Sequence, residues 1–246
     1  LYVAAVLALV NMAYIAKKLP EPKRIVKAGT ASGPPASLGN RISLMVRAAR
    51  GPLGFLYGLT FLVTFAFANL EGTFAVYLKQ HFGYGAQSSI AVAGWVFAYI
   101  GVLIVVVQGG AIRPLVKRYG EANLVVVGVG LMALGFLLFP LCPWLAVLML
   151  GPMVPLSIGN GLNAPALRAL VSRKTQATGQ GASLGLSASF DSLARATGPA
   201  TAGILYHRLG QTSPYWFAGA LMSVAFLFAL AKKRDMAATE EAFPPA

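Results

Sequence analysis

Residues 121–168 read "EANLVVVGVGLMALGFLLFPLCPWLAVLMLGPMVPLSIGNGLNAPALR", and no Asp, Glu, Lys or Arg lies between Glu121 and Arg168. A helix needs about 20 apolar residues to cross the hydrocarbon core of a bilayer. The run is long enough for two crossings, and Pro140, Leu141, Cys142 and Pro143 mark the turn between them. Helices satisfy their own backbone polar groups in lipid, so the stretch predicts two antiparallel membrane helices. Composition extends the reading to the whole chain. Hydrophobic residues make up 57% and charged residues 11%, where soluble domains carry about a quarter charged residues. The chain is therefore an all-α integral membrane protein.

Charge and turn residues bound six complete spans, at about 53–78, 89–112, 122–140, 144–167, 180–206 and 213–231. The connections between them alternate in charge. One set holds Lys17, Lys18, Lys23, Arg24, Lys27, Arg41, Arg47 and Arg50, then Arg113, Lys117 and Arg118, then Arg168, Arg173 and Lys174, then Lys232, Lys233 and Arg234. The opposite set holds only Lys79 and Arg208. The positive-inside rule places the basic set, residues 17–51, 113–121, 168–179 and the C-terminus, in the cytoplasm of a multi-pass cell (inner) membrane protein. This pattern also accounts for the net charge of +13. A nucleic-acid partner is not expected, because the cations sit at helix ends rather than on one surface with stacking aromatics.

The run 1–16 is apolar but short for a span, with no basic segment before it and no cleavage pattern after it. It reads as the remainder of a preceding helix, and the chain as one half of something larger. Residues 17–51 form a linker: "GTASGPPAS", Gly29 to Ser37, is flexible in composition, and "LGNRISLMVRAARG" brings Leu38, Ile42, Met45 and Ala49 near one face. That second stretch suits a short helix in the membrane interface or an irregular loop. The six-helix part is residues 52–232, and the tail 233–246 is expected to be disordered. Cys142 is the only cysteine, and His81 and His207 fall in separate expected loops. Neither a metal site, a disulfide nor a cofactor is expected, and an enzyme is disfavoured.

Polar groups inside apolar spans are the candidate functional residues, since a charge at mid-membrane costs about 3 kcal/mol or more and turns to a bundle interior or a wet cavity. Glu71, in "FANLEGTFAVYL", has no cation at i±3 or i±4. It lies about five residues, roughly 7–8 Å, beyond the span midpoint near Ala66, beside Phe67 and Asn69. Asp191 and Arg195, spaced i and i+4, are able to pair with each other. Asn160 and Asn163 lie in a span broken by Gly151, Pro152, Pro155 and Pro165, and suit either a ligand or a neighbouring helix. Trp95 and Tyr99 offer an aromatic face to an apolar substrate or to lipid. Small residues at Gly181, Gly185, Ala188, Ser192 and Ala196 suggest a packing face. Trp144, Tyr215 and Trp216 suit the aromatic belts at the two interfaces.

Three stretches carry a family resemblance: "QGGAIRPLVKRYGE" (Gln108–Glu121), "GNGLNAPALRALVSRKTQATGQGASLG" (Gly159–Gly185) and "SFDSLARATGPATAGILY" (Ser189–Tyr206). With "LPEP" at Leu19–Pro22 they resemble the C-terminal half of a major facilitator superfamily transporter, in the drug:proton antiporter branch that includes tetracycline exporters. The resemblance implies helices seven to twelve of a twelve-helix fold, a 3+3 inverted repeat, and a missing N-terminal half as partner. It implies a small-molecule substrate, protons as coupling ion and export of amphipathic molecules by alternating access. A metabolite or sugar symporter and a non-transporting six-helix remnant are the alternatives. Glu71, Asp191 and Arg195 are then the candidates for coupling, and Phe67, Asn69, Trp95, Tyr99, Asn160 and Asn163 for lining the cavity. Gly110, Arg113, Lys117, Arg118, Gly120 and Glu121 form the loop that in the family helps lock the cytoplasmic gate; as mere topology determinants they need no such role.

Overall fold

A computed structural model describes residues 2–18, 38–175 and 179–242. The chain divides into two compact units, 1–41 and 42–246. In the first, α1 (Tyr2–Lys18) is apolar until Lys17 and Lys18, and the Lys18 ammonium stands 5.5 Å from the Tyr14 ring centre. "LPEP", "GTASGPPAS" and the cations Lys23, Arg24 and Lys27 lie outside the described residues. Helix α2 (Leu38–Ala49) occupies the stretch for which a short helix and a loop were both open.

The second unit is the helical bundle. It comprises α3 (Gly54–His81), α4 (Ala86–Val106), α5 (Ile112–Tyr119), α6 (Glu121–Leu138), α7 (Leu145–Leu150), α8 (Met153–Arg173), α9 (Gln180–Leu209), α10 (Ser213–Ala231) and α11 (Lys233–Ala242). Five stretches, Gly54–His81, Ala86–Tyr119, Glu121–Leu141, Leu145–Arg173 and Ser213–Ala231, are long and apolar enough to cross a membrane. Helix α9 is 30 residues long, but its serines, threonines, glycines and charges keep it below that hydropathy. The closest packed pairs are α6 with α8, α3 with α9 and α10 with α6; α10 with α3 and α4 with α8 follow. Exchanging α3 for α8, α4 for α9 and α6 for α10 maps this contact pattern onto itself, as a 3+3 repeat requires.

Glycine decides how closely the helices approach. Helices α6 and α8 cross where a Cβ on Gly128 would stand 2.9 Å from the Gly159 carbonyl oxygen and 2.7 Å from the Asn163 Oδ1. A Cβ on Gly159 would collide with the Gly128 carbonyl oxygen in turn. Small residues at such crossings let dispersion drive association without help from water. Gly159→Ala is accordingly expected to destabilise the bundle by about 1–3 kcal/mol, the usual range for overpacking. Gly203→Ala, where nothing stands within 4 Å, should leave thermal unfolding in detergent unchanged.

The two halves of the interrupted span meet at Gly151 and Pro152, between α7 and α8. Pro155 falls in the first turn of α8, where its missing N–H would have no partner anyway. Pro165 lies inside the helix and leaves the Gly161 carbonyl without its i+4 donor. That carbonyl accepts the Gln108 side-chain amide, at 3.4 Å from Nε2. Gln108 reaches it from a π-helical turn, Val107–Ala111, that joins α4 to α5.

Several expectations need correction. The segment 113–119 is helix α5, so the expected gate loop shrinks to Gly120, whose φ of 79° makes the reversal. Helix α9 continues through His207 and α3 through His81, so neither histidine is in a loop. The tail is helical over Lys233–Ala242, because Met236 buries against the bundle and Lys232 pairs with Asp235 at 2.8 Å. Tyr215 is fully buried and stacks on Phe139 at 4.1 Å, unlike the exposed Trp144 and Trp216, so it is no belt anchor.

Candidate functional site

The seam between α3 and α9 carries three polar contacts between helices, including two of the acids inside the spans. Gly198 faces Ala68, with a hypothetical Cβ contact of 2.7 Å, and Gly72 faces Pro199 at 2.8 Å. The two helices run in the same direction from the basic end of the bundle. At the first level the Thr64 hydroxyl donates to the Asp191 carboxylate at 2.5 Å. Two turns further along α3, roughly 10 Å away, Arg195 Nη1 lies 3.8 Å from Glu71 Oε2. Nearer the opposite end, the Tyr206 hydroxyl donates to Gln80 Oε1 at 2.7 Å.

The partners therefore differ from the expected ones. Arg195 pairs across the seam with Glu71 and not with Asp191 one turn earlier on its own helix. The close α3–α9 approach brings Thr64 to Asp191 and gives Glu71 the cation that its own helix lacks. Opposite charges at one level reduce the penalty of each in hydrocarbon. The pair is also open: the Glu71 side chain is 42% exposed and the Arg195 side chain 63%. It lies along a face of the bundle that no helix of this unit covers.

The small residues of α9 change sides. Gly181, Gly185, Ala188, Ser192 and Ala196 are all exposed, and the residues packed against the bundle are Ser187, Ala194, Gly198 and Ala202. The expected packing face is the open face. It flanks the charges and leaves room beside them.

The other expected lining residues divide. Asn69 is fully buried, its amide donating to the Phe65 carbonyl of its own helix at 2.8 Å. Asn163 is fully buried at the α6–α8 crossing, with Nδ2 3.5 Å from Met132 Sδ. Neither lines an open face, because glycine and alanine neighbours let helices close over them; this corrects the expectation for both. The Oδ1 atoms of both have no hydrogen-bond partner. Phe67, Tyr99 and Asn160 are half-buried, and Trp95 is 76% exposed on α4.

At the basic end Glu121 opens α6, where the helix dipole favours an anion. It is buried and takes Arg173, at the end of α8, at 2.5 Å. Gly110, Arg113, Lys117 and Arg118 are exposed. In the sequence Arg173 stands out only as a topology cation, and Thr64 and Gln80 carry no signal of their own. A threonine facing an aspartate from another helix leaves no local pattern.

The sequence profile described as Major Facilitator Superfamily matches residues 1–195 and, in a second alignment, residues 115–246. The chain belongs to the major facilitator superfamily. Among curated relatives, the class C tetracycline resistance protein of Escherichia coli is 31% identical over 146 residues, 58% of this chain and 36% of that protein. Hippocampus abundant transcript-like protein 1 of Rattus norvegicus is 26% identical over 218 residues, 83% of this chain and 40% of that protein. A crystal structure described as the human organic anion transporter MFSD10 (TETRAN) superposes with a TM-score of 0.62 at 25% identity, covering 81% of this chain and 43% of that one. This superfamily chain spans well under half the length of these relatives.

Replacing Thr64 by Val in this superfamily protein removes the one hydrogen-bond donor to Asp191 found among the described residues while keeping the side-chain shape. Its expected effect is a change of at least threefold in any activity that depends on Asp191, with melting temperature held. Thr64→Ser should retain the activity, which separates the hydroxyl from the methyl group.

Proposed function

We propose that this chain is a six-helix half of a proton-coupled exporter of small amphipathic molecules, rocking against a second six-helix half. The observation that carries the reading is the open Glu71–Arg195 pair on α3 and α9, one level from the Thr64–Asp191 bond. A titratable acid held by a cation across two helices, on an uncovered face, is suited to exchanging a proton for a substrate. Alternating access in such folds places the site between the two halves near the midplane. The tetracycline resistance relative supports a drug-like substrate. Alternation of basic and uncharged helix ends supports a cell-membrane location with the basic ends cytoplasmic. On that side the Glu121–Arg173 contact at the α5–α6 reversal would hold the gate, with Gly110, Arg113, Lys117 and Arg118 around it.

Inside-out vesicles carrying the full-length protein provide the test. An acid-inside gradient should drive accumulation of an amphipathic fluorescent drug, and a protonophore should abolish it. Accumulation indifferent to the gradient would remove proton coupling. Transport confined to organic anions would reassign the substrate and turn Arg195 into its recognition group.

A further inference from the structure

A second feature lies on the other side of the bundle, at its basic end. Leu115 and Tyr119 of α5, Asn123, Leu124 and Val127 of α6 and Leu162 of α8 line an open groove of about 350 Å³, within the range of small-ligand pockets. Its walls are almost wholly apolar. The one amide among them is turned away, since Asn123 Nδ2 donates to the Tyr119 carbonyl at 2.5 Å. From its mouth at Tyr119 and Asn123 the groove runs toward Val127 and Leu162, into the depth of the membrane-spanning helices.

A cation stands at that mouth. The Arg118 guanidinium lies 5.4 Å from the centre of the Tyr119 ring, and Tyr119 is itself a wall of the groove. None of the ion pairs among the described residues involves Arg118. The nearest acid in sequence, Glu121, is taken by Arg173, so its charge is neutralised where an incoming anion would meet it. Arg113 and Lys117 are spaced i and i+4 on the side of α5 opposite Leu115 and Tyr119.

We propose that this groove is a binding site for an anionic phospholipid, with one acyl chain along Leu115, Leu124, Val127 and Leu162 and the headgroup phosphate on Arg118. A guanidinium suits a phosphate by its fork of donors, and basic pockets between membrane helices select anionic headgroups. The site lies away from the α3–α9 seam and does not depend on what is transported.

Native mass spectrometry of the purified full-length protein, titrated with phosphatidylglycerol or phosphatidylcholine of equal chain length, tests the assignment. The wild type should retain one phosphatidylglycerol with a preference of about five-fold, the effect of one cation near an anionic headgroup. Arg118→Gln should bring the preference to parity. Val127→Trp should lose retention of both lipids; Val127 is 52% exposed, so the larger side chain fills the groove without entering the core. Arg113→Gln should leave the preference intact. The proposal is overturned if the wild type shows no preference, if Arg113→Gln loses it as fully as Arg118→Gln, or if Val127→Trp retains lipid normally.

Discussion

On the proposed proton-coupled function, Glu71→Gln is expected to reduce gradient-driven transport by the full-length protein at least tenfold while leaving its thermal unfolding in detergent unchanged. The two halves of this expectation come from different facts. Stability should hold because the carboxylate is open and its ion pair is long, at 3.8 Å; exposed ion pairs contribute about 0–1 kcal/mol. Transport should fall because the amide keeps the shape and cannot exchange a proton. Arg195→Gln leaves the Glu71 carboxylate without its cation and should also reduce transport. The double variant should be no worse than Glu71→Gln alone, since both changes break one unit. Normal gradient-dependent transport by Glu71→Gln would remove this residue from the mechanism.

Arg173→Gln should do the reverse, unfolding the protein before any question of transport arises. Glu121 is 5% exposed, and its partner Arg173 is only 17% exposed at the side chain. Removing one partner of a buried ion pair costs about 3–5 kcal/mol, because an uncompensated charge stays behind. Glu121→Gln combined with Arg173→Gln should recover part of that loss, since an amide pair is cheaper to bury than a lone carboxylate. Equilibrium unfolding in mixed micelles reads both. A loss below about 0.5 kcal/mol for Arg173→Gln would show that water reaches Glu121 and that the contact is a surface pair.

The helices themselves were legible without coordinates because each is a local property. Uncharged length between Glu121 and Arg168 predicts two spans wherever the rest of the chain goes. The alternation of Arg113, Lys117 and Arg118 with Lys79 at the other end orders the spans in a membrane. Gly120 at a reversal and Pro152 at a break act through their own backbone, and the structure shows both. Even so, three cations within six residues suit a connection, and the segment is helix α5 because Ile112, Leu115 and Val116 pack against the core.

The site was half legible. That Glu71, Asp191 and Arg195 stand out could be seen from their apolar surroundings. Which of them meet could not. Spacing along one helix suggested Asp191 with Arg195, the nearest pair in sequence. The structure instead joins residues 124 and 127 positions apart, Glu71 to Arg195 and Thr64 to Asp191. The same limit reversed the face of α9: small residues mark closeness to something, and periodicity does not say whether that is a helix of this bundle or open space.

Sequence by itself determined that this chain is an all-α membrane protein, roughly where five apolar spans of the described residues lie and which of their ends are basic. These follow from length, hydropathy and charge, which act residue by residue. Only the tertiary structure decided that Gln108 serves the carbonyl freed by Pro165, that Arg173 neutralises Glu121 and that Arg195 answers Glu71. Each depends on two helices approaching closely enough for side chains to touch, and that distance is set by glycines such as Gly128, Gly159 and Gly198 acting on partners far away in the chain.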